Sequence, residues 1–597
     1  MATSMRIRVF ARKSKWGLAQ DAYLVESTLH LLQLKKDRAA PAWTIEHVDP
    51  MTWVPPATEP TADIHIYLEI PVRLATPWAG YNIAVVNPEW WPEHAWDWAL
   101  QEMDLFVFKS EPAATLYPEV PKEKRVVMPW RTNMLRPLIK PTENRFLYVV
   151  GGSANKAAAA RDVVRWWQTA WPPLEVHCTA AIAATLEPRA SNVSVVTEYL
   201  NAAEIQARQA ACRWHVAASA AEGFGYTLAE AAVCGAPTLR CDLQSQCWTW
   251  RDAFGPAGEI TTIIRVPEPI YETEFAREYH VYFTEEALNA AVTSLLALTP
   301  ADESRIRDDL AARLIKIREE FTHGWEQVWG AYKRHRHPPA LPASPVKGAM
   351  PPKVGVITVT RNRPDWWPNM VQNITKQAWP ISRIEWIIVD DGDAANSLQA
   401  LVDELAAKVP ALSIRYVEMP EVATIGAKRN AAVQAAATDV DVFVCMDDDD
   451  HYPVDSIASR VSWLEPTRKG THIAYCSTLP MYDTRRYISA VNVPPLMESP
   501  SERVSEATLA FTRAAHTERP FPDSSMAEGY EFVKGREAKT VELPPQGIIV
   551  SFIHGSNTSS RRVPEEQEPN GCHYGFSDAY FSWLSRVSAA AQPVGVR

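Results

Sequence analysis

Residues 444–453 read VCMDDDDHYP: an apolar run that ends in Asp447, Asp448, Asp449 and Asp450. Adjacent carboxylates repel one another unless a cation neutralises them. An all-oxygen donor set favours Mg2+ or Mn2+. A second apolar run, Trp386–Val389, leads into Asp390, Asp391 and Gly392, and a third, VGVITVTRNRP, ends at Thr360–Arg363. Ahead of the four aspartates, ATIGAKRNAAV puts Lys428, Arg429 and Asn430 at the start of a helical stretch. Cations and helix-start N–H groups suit an anionic diphosphate. In an open α/β sheet, ligands bind at the carboxyl ends of the strands. The implied chemistry is that of a metal-bound anionic diphosphate at such a sheet edge.

On these motifs residues 353–560 resemble the inverting family 2 glycosyltransferases of the GT-A fold. The resemblance implies that Asp390 and Asp391 contact the nucleotide base and ribose. It implies that Asp447 and Asp449 form a DXD motif for ribose and metal (Mn2+ or Mg2+), Asp449 being the direct ligand. Lys428, Arg429 and Asn430 match the family's basic helix start, and Thr360, Arg363 and Asp448 complete the donor-binding set. Departure of the diphosphate calls for positive charge, and a carboxylate on the opposite face must accept the proton of the attacking hydroxyl. The family supplies that base from a Glu-Asp pair at a helix start. Here the stretch is SSMAEGYEF, with Glu528 and Glu531 as alternatives and Gly529 in place of the second acid. In IIVSFIHGSNTSS, His554 follows an apolar run and resembles the late histidine that some GT-A enzymes use as a further metal ligand.

A second constellation precedes these. Residues 217–239, AASAAEGFGYTLAEAAVCGAPTL, carry a strand end, a glycine loop and a helix start. Such a loop offers backbone N–H groups to a diphosphate, and a carboxylate at Glu230 can accept both ribose hydroxyls. The phrase resembles the donor half of the retaining family 4 glycosyltransferases, which have the GT-B fold and need no metal. The match runs through Glu222, Gly223, Phe224, Gly225 and Glu230. It implies a catalytic Glu222 and a donor-binding loop and helix, with Lys156 as the family's lysine. Gly152 stands where that family carries an arginine.

The elements that must position these groups are legible as apolar runs. Before residue 335 they are Ile7–Phe10, Ile64–Leu68, Ile83–Val86, Leu105–Phe108, Phe146–Val150, Val193–Val196 and His215–Ala217, alternating with helical stretches. That alternation implies parallel sheets with crossover helices, here two Rossmann-like halves that part near residues 137–145. Ile306, Leu310, Leu314, Ile317 and Phe321 form one helical stripe, continued by Trp325, Val328 and Tyr332. A proline-rich stretch, 335–352, reads as an extended linker. Strands are then expected at Val354–Thr360, Trp386–Val389, Ile414–Val417 and Val442–Met446, with helices over Ala395–Val409 and Gly426–Ala437. The fold class is therefore α/β: an N-terminal GT-B-like pair of Rossmann-like halves (1–140 and 141–334), the linker (335–352) and a C-terminal GT-A domain (353–597).

Composition sets the outer bounds. The chain has 597 residues, 47% of them hydrophobic, and a net charge of −11, so it is neither a disordered tail nor a nucleic-acid coat. Its 8 cysteines form no CxxC pair, which argues against a zinc site or a disulfide framework. No signal peptide and no transmembrane run are apparent, so the expected compartment is cytoplasmic. The 23 tryptophans could stack on sugars or bases but more often fill cores. The expectation is a bifunctional glycosyltransferase that takes nucleotide-sugar donors and extends a glycan or glycoconjugate acceptor. Its rivals are a single active GT-A enzyme with a degenerate GT-B scaffold, and a metal-dependent nucleotidyltransferase.

Overall fold

The computed structural model describes residues 4–13, 17–36, 43–53, 61–92, 95–134, 141–152, 154–220, 222–241, 243–250, 262–263, 283–341, 350–464, 470–496, 498–555, 557 and 576–590. The chain forms two compact units. One comprises Met1–Thr52, Thr61–Val72 and Ala79–Pro339; the other comprises Trp53–Pro60, Arg73–Trp78 and Ala340–Arg597.

The first unit holds two parallel six-stranded sheets. In spatial order the first runs Thr44–Val48, Arg6–Phe10, Ile64–Leu68, Asn82–Val86, Leu105–Phe108, Arg125–Val127. The second runs Thr262–Ile263, Thr238–Cys241, Cys212–Ala217, Glu143–Val149, Leu174–His177, Val193–Val196. Strands such as Ile64–Leu68 and Asn82–Val86 are buried along their whole length. That is what helix cover on both faces of a parallel sheet demands, and it is why they read as unbroken apolar runs. Thr44–Val48 escaped the sequence reading because it is a polar edge strand, largely exposed. Arg125–Val127, Leu174–His177 and Thr238–Cys241 also escaped: each is short, and charged or polar residues interrupt its apolar run.

A 36-residue helix, Pro300–His335, closes this unit. Thr299 and Asp302 cap it reciprocally, and its apolar stripe is buried at Ile306, Leu310, Ile317, Phe321, Trp325, Val328 and Tyr332. The stretch expected to leave as an extended linker starts tied down: the His337 N–H donates to the Gly80 carbonyl at 3.1 Å, and its Nε2 lies 3.2 Å from Asp104. Residues 342–349 of that stretch lie outside the described residues.

The second unit is built on a seven-stranded sheet ordered Ser413–Glu418, Ile384–Asp390, Val354–Thr360, Val442–Cys445, Ala510–Thr512, Ile473–Tyr475, Thr540–Glu542. Its first four strands are parallel, and Ala510–Thr512 is antiparallel to both its neighbours. A three-stranded sheet, Ile488–Asn492, Leu479–Asp483, Ser551–Ile553, lies beside it in the same unit. The register levels the strand ends: Thr360 pairs with Asp390 and Asp390 with Glu418. Ile357 pairs with Cys445, so the aspartates that follow Cys445 emerge beside the last residues of the strand Val354–Thr360.

Candidate active site

The level strand ends of the second unit deliver one connected set of charges. Thr360 Oγ1 donates to Asp448 Oδ2 at 2.7 Å. Arg363 Nη1 reaches Asp448 Oδ1 at 2.6 Å and Asp449 Oδ2 at 2.7 Å. Asp449 Oδ2 also lies 3.1 Å from His554 Nε2. The His554 ring packs on Trp366 with centroids 4.8 Å apart, and Asn557 Nδ2 is 3.2 Å from its Nε2. Burial works against the Asp449 anion, but Arg363 and His554 overcome it and hold this carboxyl well below the usual range. Asp448 goes the other way: burial and the Asp449 charge raise it in spite of Arg363. The two carboxylates in turn hold the Arg363 proton more tightly than normal. Asp450 is turned to structure, its Oδ1 accepting the Phe552 N–H at 2.9 Å.

The acids after the second strand are equally committed. Asp390 Oδ1 accepts from the Gly392 N–H at 2.8 Å and its Oδ2 from the Tyr416 hydroxyl at 2.7 Å. Asp391 accepts from the Ala423 N–H at 2.9 Å and from Lys428 Nζ at 2.8 Å. Lys428 comes from the helix Ile425–Ala435, capped by Thr424, and its Nζ also reaches the Thr360 carbonyl at 3.3 Å. Lys428 is thus a buried partner of Asp391. Arg429, one residue on, is fully buried and bridges two acids: it donates to Glu528 and, at 3.4 Å, to Asp447 Oδ1. Asn430 is spent on scaffolding, its Oδ1 accepting from the Phe521 N–H at 3.0 Å and meeting His516 Nε2 at 2.8 Å.

Glu528 opens the short helix Glu528–Val533 and is buried, whereas Glu531 points to solvent. Burial raises the Glu528 pKa, and the Arg429 cation restrains that rise. Gly529 has a steric reason: a Cβ there would meet Glu506 Cγ at 2.8 Å and Val504 Cγ1 at 2.9 Å. The second acid of the resembled motif has no room. Ala527, just before the helix, takes a left-handed φ of 54° that strains any residue with a Cβ.

Several members of the set carried no sequence signal. Asn369 donates to the Asp448 and Asp450 carbonyls at 3.0 and 2.8 Å, and Asn373 to the Asp450 carbonyl at 2.8 Å. They fix the backbone of the aspartate loop. Their i, i+4 spacing on one helix was visible, but nothing in it pointed to a partner 77 or more residues away. Tyr416 and Trp366 were equally silent.

A divalent cation fits the donor chemistry of Asp449 and His554, a carboxylate oxygen beside an imidazole nitrogen. Among the described residues, no group of three or more such donors stands preassembled.

In the first unit the loop before helix Tyr226–Cys234 gathers a different set. Lys156 Nζ pairs with Glu222 Oε1 at 3.1 Å. The Gly223 N–H donates to Glu89 Oε1 at 2.5 Å. Burial and the neighbouring Glu222 charge push Glu89 up to about 7, against Lys156. A Cβ on Gly223 would fall 1.9 Å from Asn87 Oδ1, so any other residue there must displace the Asn87 side chain. Gly225 takes φ +83°, and Phe224 is buried. Glu230 accepts from Gln209 Nε2 at 2.6 Å and Gln20 Nε2 at 3.3 Å. Glu89 lies 134 residues from Gly223, which is why no local pattern pointed to it.

Residues 355–487, within the second unit, match the family model described as Glycosyl transferase family 2. Similar solved structures include the mannosyltransferase PcManGT from Pyrobaculum calidifontis in complex with GDP-Man and Mn2+, 19% identical with a TM-score of 0.27, covering 38% of this chain and 64% of that one. They also include S. aureus TarS 1-349 in complex with UDP-GlcNAc, 15% identical with a TM-score of 0.28, covering 35% of this chain and 62% of that one. The chain spans less than two thirds of the length of either. No curated protein matches it in sequence. No described helix is long and apolar enough to cross a membrane.

Proposed function

We propose that the second unit transfers a sugar, with inversion, from a nucleotide-sugar donor to a glycan or glycoconjugate acceptor. One observation carries the reading: Arg429 ties Glu528, the candidate base, to Asp447, the first acid of the DXD motif. In this reading Asp390 and Asp391 bind the nucleoside, and Glu528 accepts the proton of the acceptor hydroxyl. The new C–O bond forms on the face opposite the breaking anomeric C–O bond, whose electron pair leaves with the diphosphate. Burial raises the pKa of Glu528, which suits it to accept a proton. Asp449 and His554, with Asp447, would hold Mn2+ or Mg2+, which when bound stabilises charge on the leaving diphosphate.

The first unit, read as a GT-B pair, would transfer with retention and without metal through Glu222. Tethering two transferases raises the effective concentration of one unit's product at the next. A second reading, a scaffold without transfer activity, is favoured by a specific observation: Gly223 N–H, Lys156 and Glu230 are all engaged by the protein's own side chains. The test is a nucleotide-sugar donor panel, with Mn2+ or with EDTA, on wild type, Asp449→Ala and Glu222→Ala. Metal-dependent turnover lost in Asp449→Ala supports the second-unit assignment. Pyrophosphate release in place of nucleoside diphosphate would make it a nucleotidyltransferase. EDTA-resistant turnover lost in Glu222→Ala establishes two enzymes, and its absence with every donor supports the scaffold.

A further inference from the structure

A cavity of about 190 Å³ opens in the first unit, and of the loop residues Glu222–Gly225 only Phe224 lines it. Its walls are apolar, from Trp130, Phe224, Trp250 and Leu314, and Arg131 and Arg318 also line it. The two cations come from different elements, Arg131 from the segment after strand Arg125–Val127 and Arg318 from the helix Pro300–His335. Among the described residues neither guanidinium meets a carboxylate. Arg131 stacks on Phe321 at 5.3 Å, and its Nε is buried with no hydrogen-bond partner among the described residues. Burial, aided by the Arg318 charge, lowers its hold on its own proton. Elsewhere in this unit comparable cations are neutralised: Lys109 by Asp21 at 2.7 Å, Arg313 by Glu320 at 3.1 Å, Arg208 by Glu143 at 2.6 Å. Leaving a buried N–H donor unsatisfied is unfavourable. Two like charges beside an apolar cavity add to that cost, and an incoming anion removes both penalties. The exposed Ile315, at 63%, extends the apolar lining outward.

We propose that this cavity is a binding site for an amphipathic anion. Its hydrocarbon part lies among Trp130, Phe224, Trp250 and Leu314, and its carboxylate or phosphate head is held between Arg131 and Arg318. The apolar walls account for the tail, and the paired guanidiniums account for the head. The site shares Phe224 with the loop of the proposed first-unit transfer but uses neither Glu222 nor Lys156, so its test reads separately from that reading.

The experiment is calorimetric titration of the full chain with octyl phosphate, octanoate and octyl glucoside, each below its micellar concentration. Arg318→Met and Leu314→Trp are titrated alongside. Arg318 is exposed on its helix, so its replacement leaves the fold intact, and retained melting temperature checks both variants. Octyl phosphate is expected to bind at least tenfold more tightly than octyl glucoside, with Arg318→Met removing most of that preference and Leu314→Trp abolishing binding. Octanoate matching octyl phosphate assigns the head site to anions in general, and a weaker octanoate assigns it to phosphate. Equal binding of the neutral glucoside, unchanged affinity in Arg318→Met, or no binding of either anion at millimolar concentration would overturn the proposal.

Discussion

Lys428 offers the sharpest separation between a group that waits for a ligand and one that holds the fold. Its side chain is 7% exposed and that of its partner Asp391 is 1% exposed, with Nζ and Oδ1 at 2.8 Å. Lys428→Met removes the cation and leaves a buried carboxylate with only the Ala423 N–H as a described partner. Breaking a buried ion pair from one side costs about 3–5 kcal/mol, because the remaining charge is stranded away from water. For a unit of this size each kcal/mol lowers the melting temperature by about 2–4 °C, so the expected drop is roughly 6–20 °C. Scanning calorimetry of the full chain measures it, with the transition of the first unit as internal reference. The double variant Asp391→Asn/Lys428→Met removes the stranded charge and should regain most of the loss. A single variant that melts within a degree of wild type would refute the structural role and return Lys428 to diphosphate binding. A double variant no better than the single would show that the loss is one of packing rather than charge.

Two further outcomes follow from the same geometry. Glu528→Gln should lower kcat by about 10²–10⁴, the usual worth of a general base, while Glu531→Gln, on the exposed face of the same helix, stays within about twofold; steady-state kinetics on the two variants decides between them. His215, buried on strand Cys212–Ala217, has its pKa pushed down to about 4 from the usual 6.5 by burial. The folded state therefore prefers the neutral ring, so this contribution is complete above pH 6.5. It is lost as pH falls towards 4, where protonation of the unfolded chain costs the fold about 3 kcal/mol. Melting curves of the first unit from pH 7.5 to 4.5, wild type against His215→Leu, measure it. A difference between the two that stays flat over that range would contradict the assignment.

The sequence by itself determined the α/β character of both units, the fully buried strands and the acids that follow them. Burial on both faces of a parallel sheet writes an unbroken apolar run, and a run of four aspartates after such a strand can only emerge at its carboxyl end. The long helix Pro300–His335 was legible through its apolar period, while its Thr299–Asp302 cap was found only in the structure. Only the tertiary structure decided what each charge is for. Lys428 and Arg429 are neighbours with the same local pattern, yet one locks Asp391 and the other bridges Glu528 and Asp447. Asn430, next in line, holds Phe521. Glu528 and Glu531 lie three residues apart, and one is buried beside a guanidinium while the other faces water. The approach of Glu89 to Gly223, of His554 to Asp449 and of Arg131 to a cavity it shares with Arg318 spans 134, 105 and 187 residues, the last being 318 − 131. Periodicity registers the faces of single elements, so contacts across such separations enter only when the sheets and helices pack.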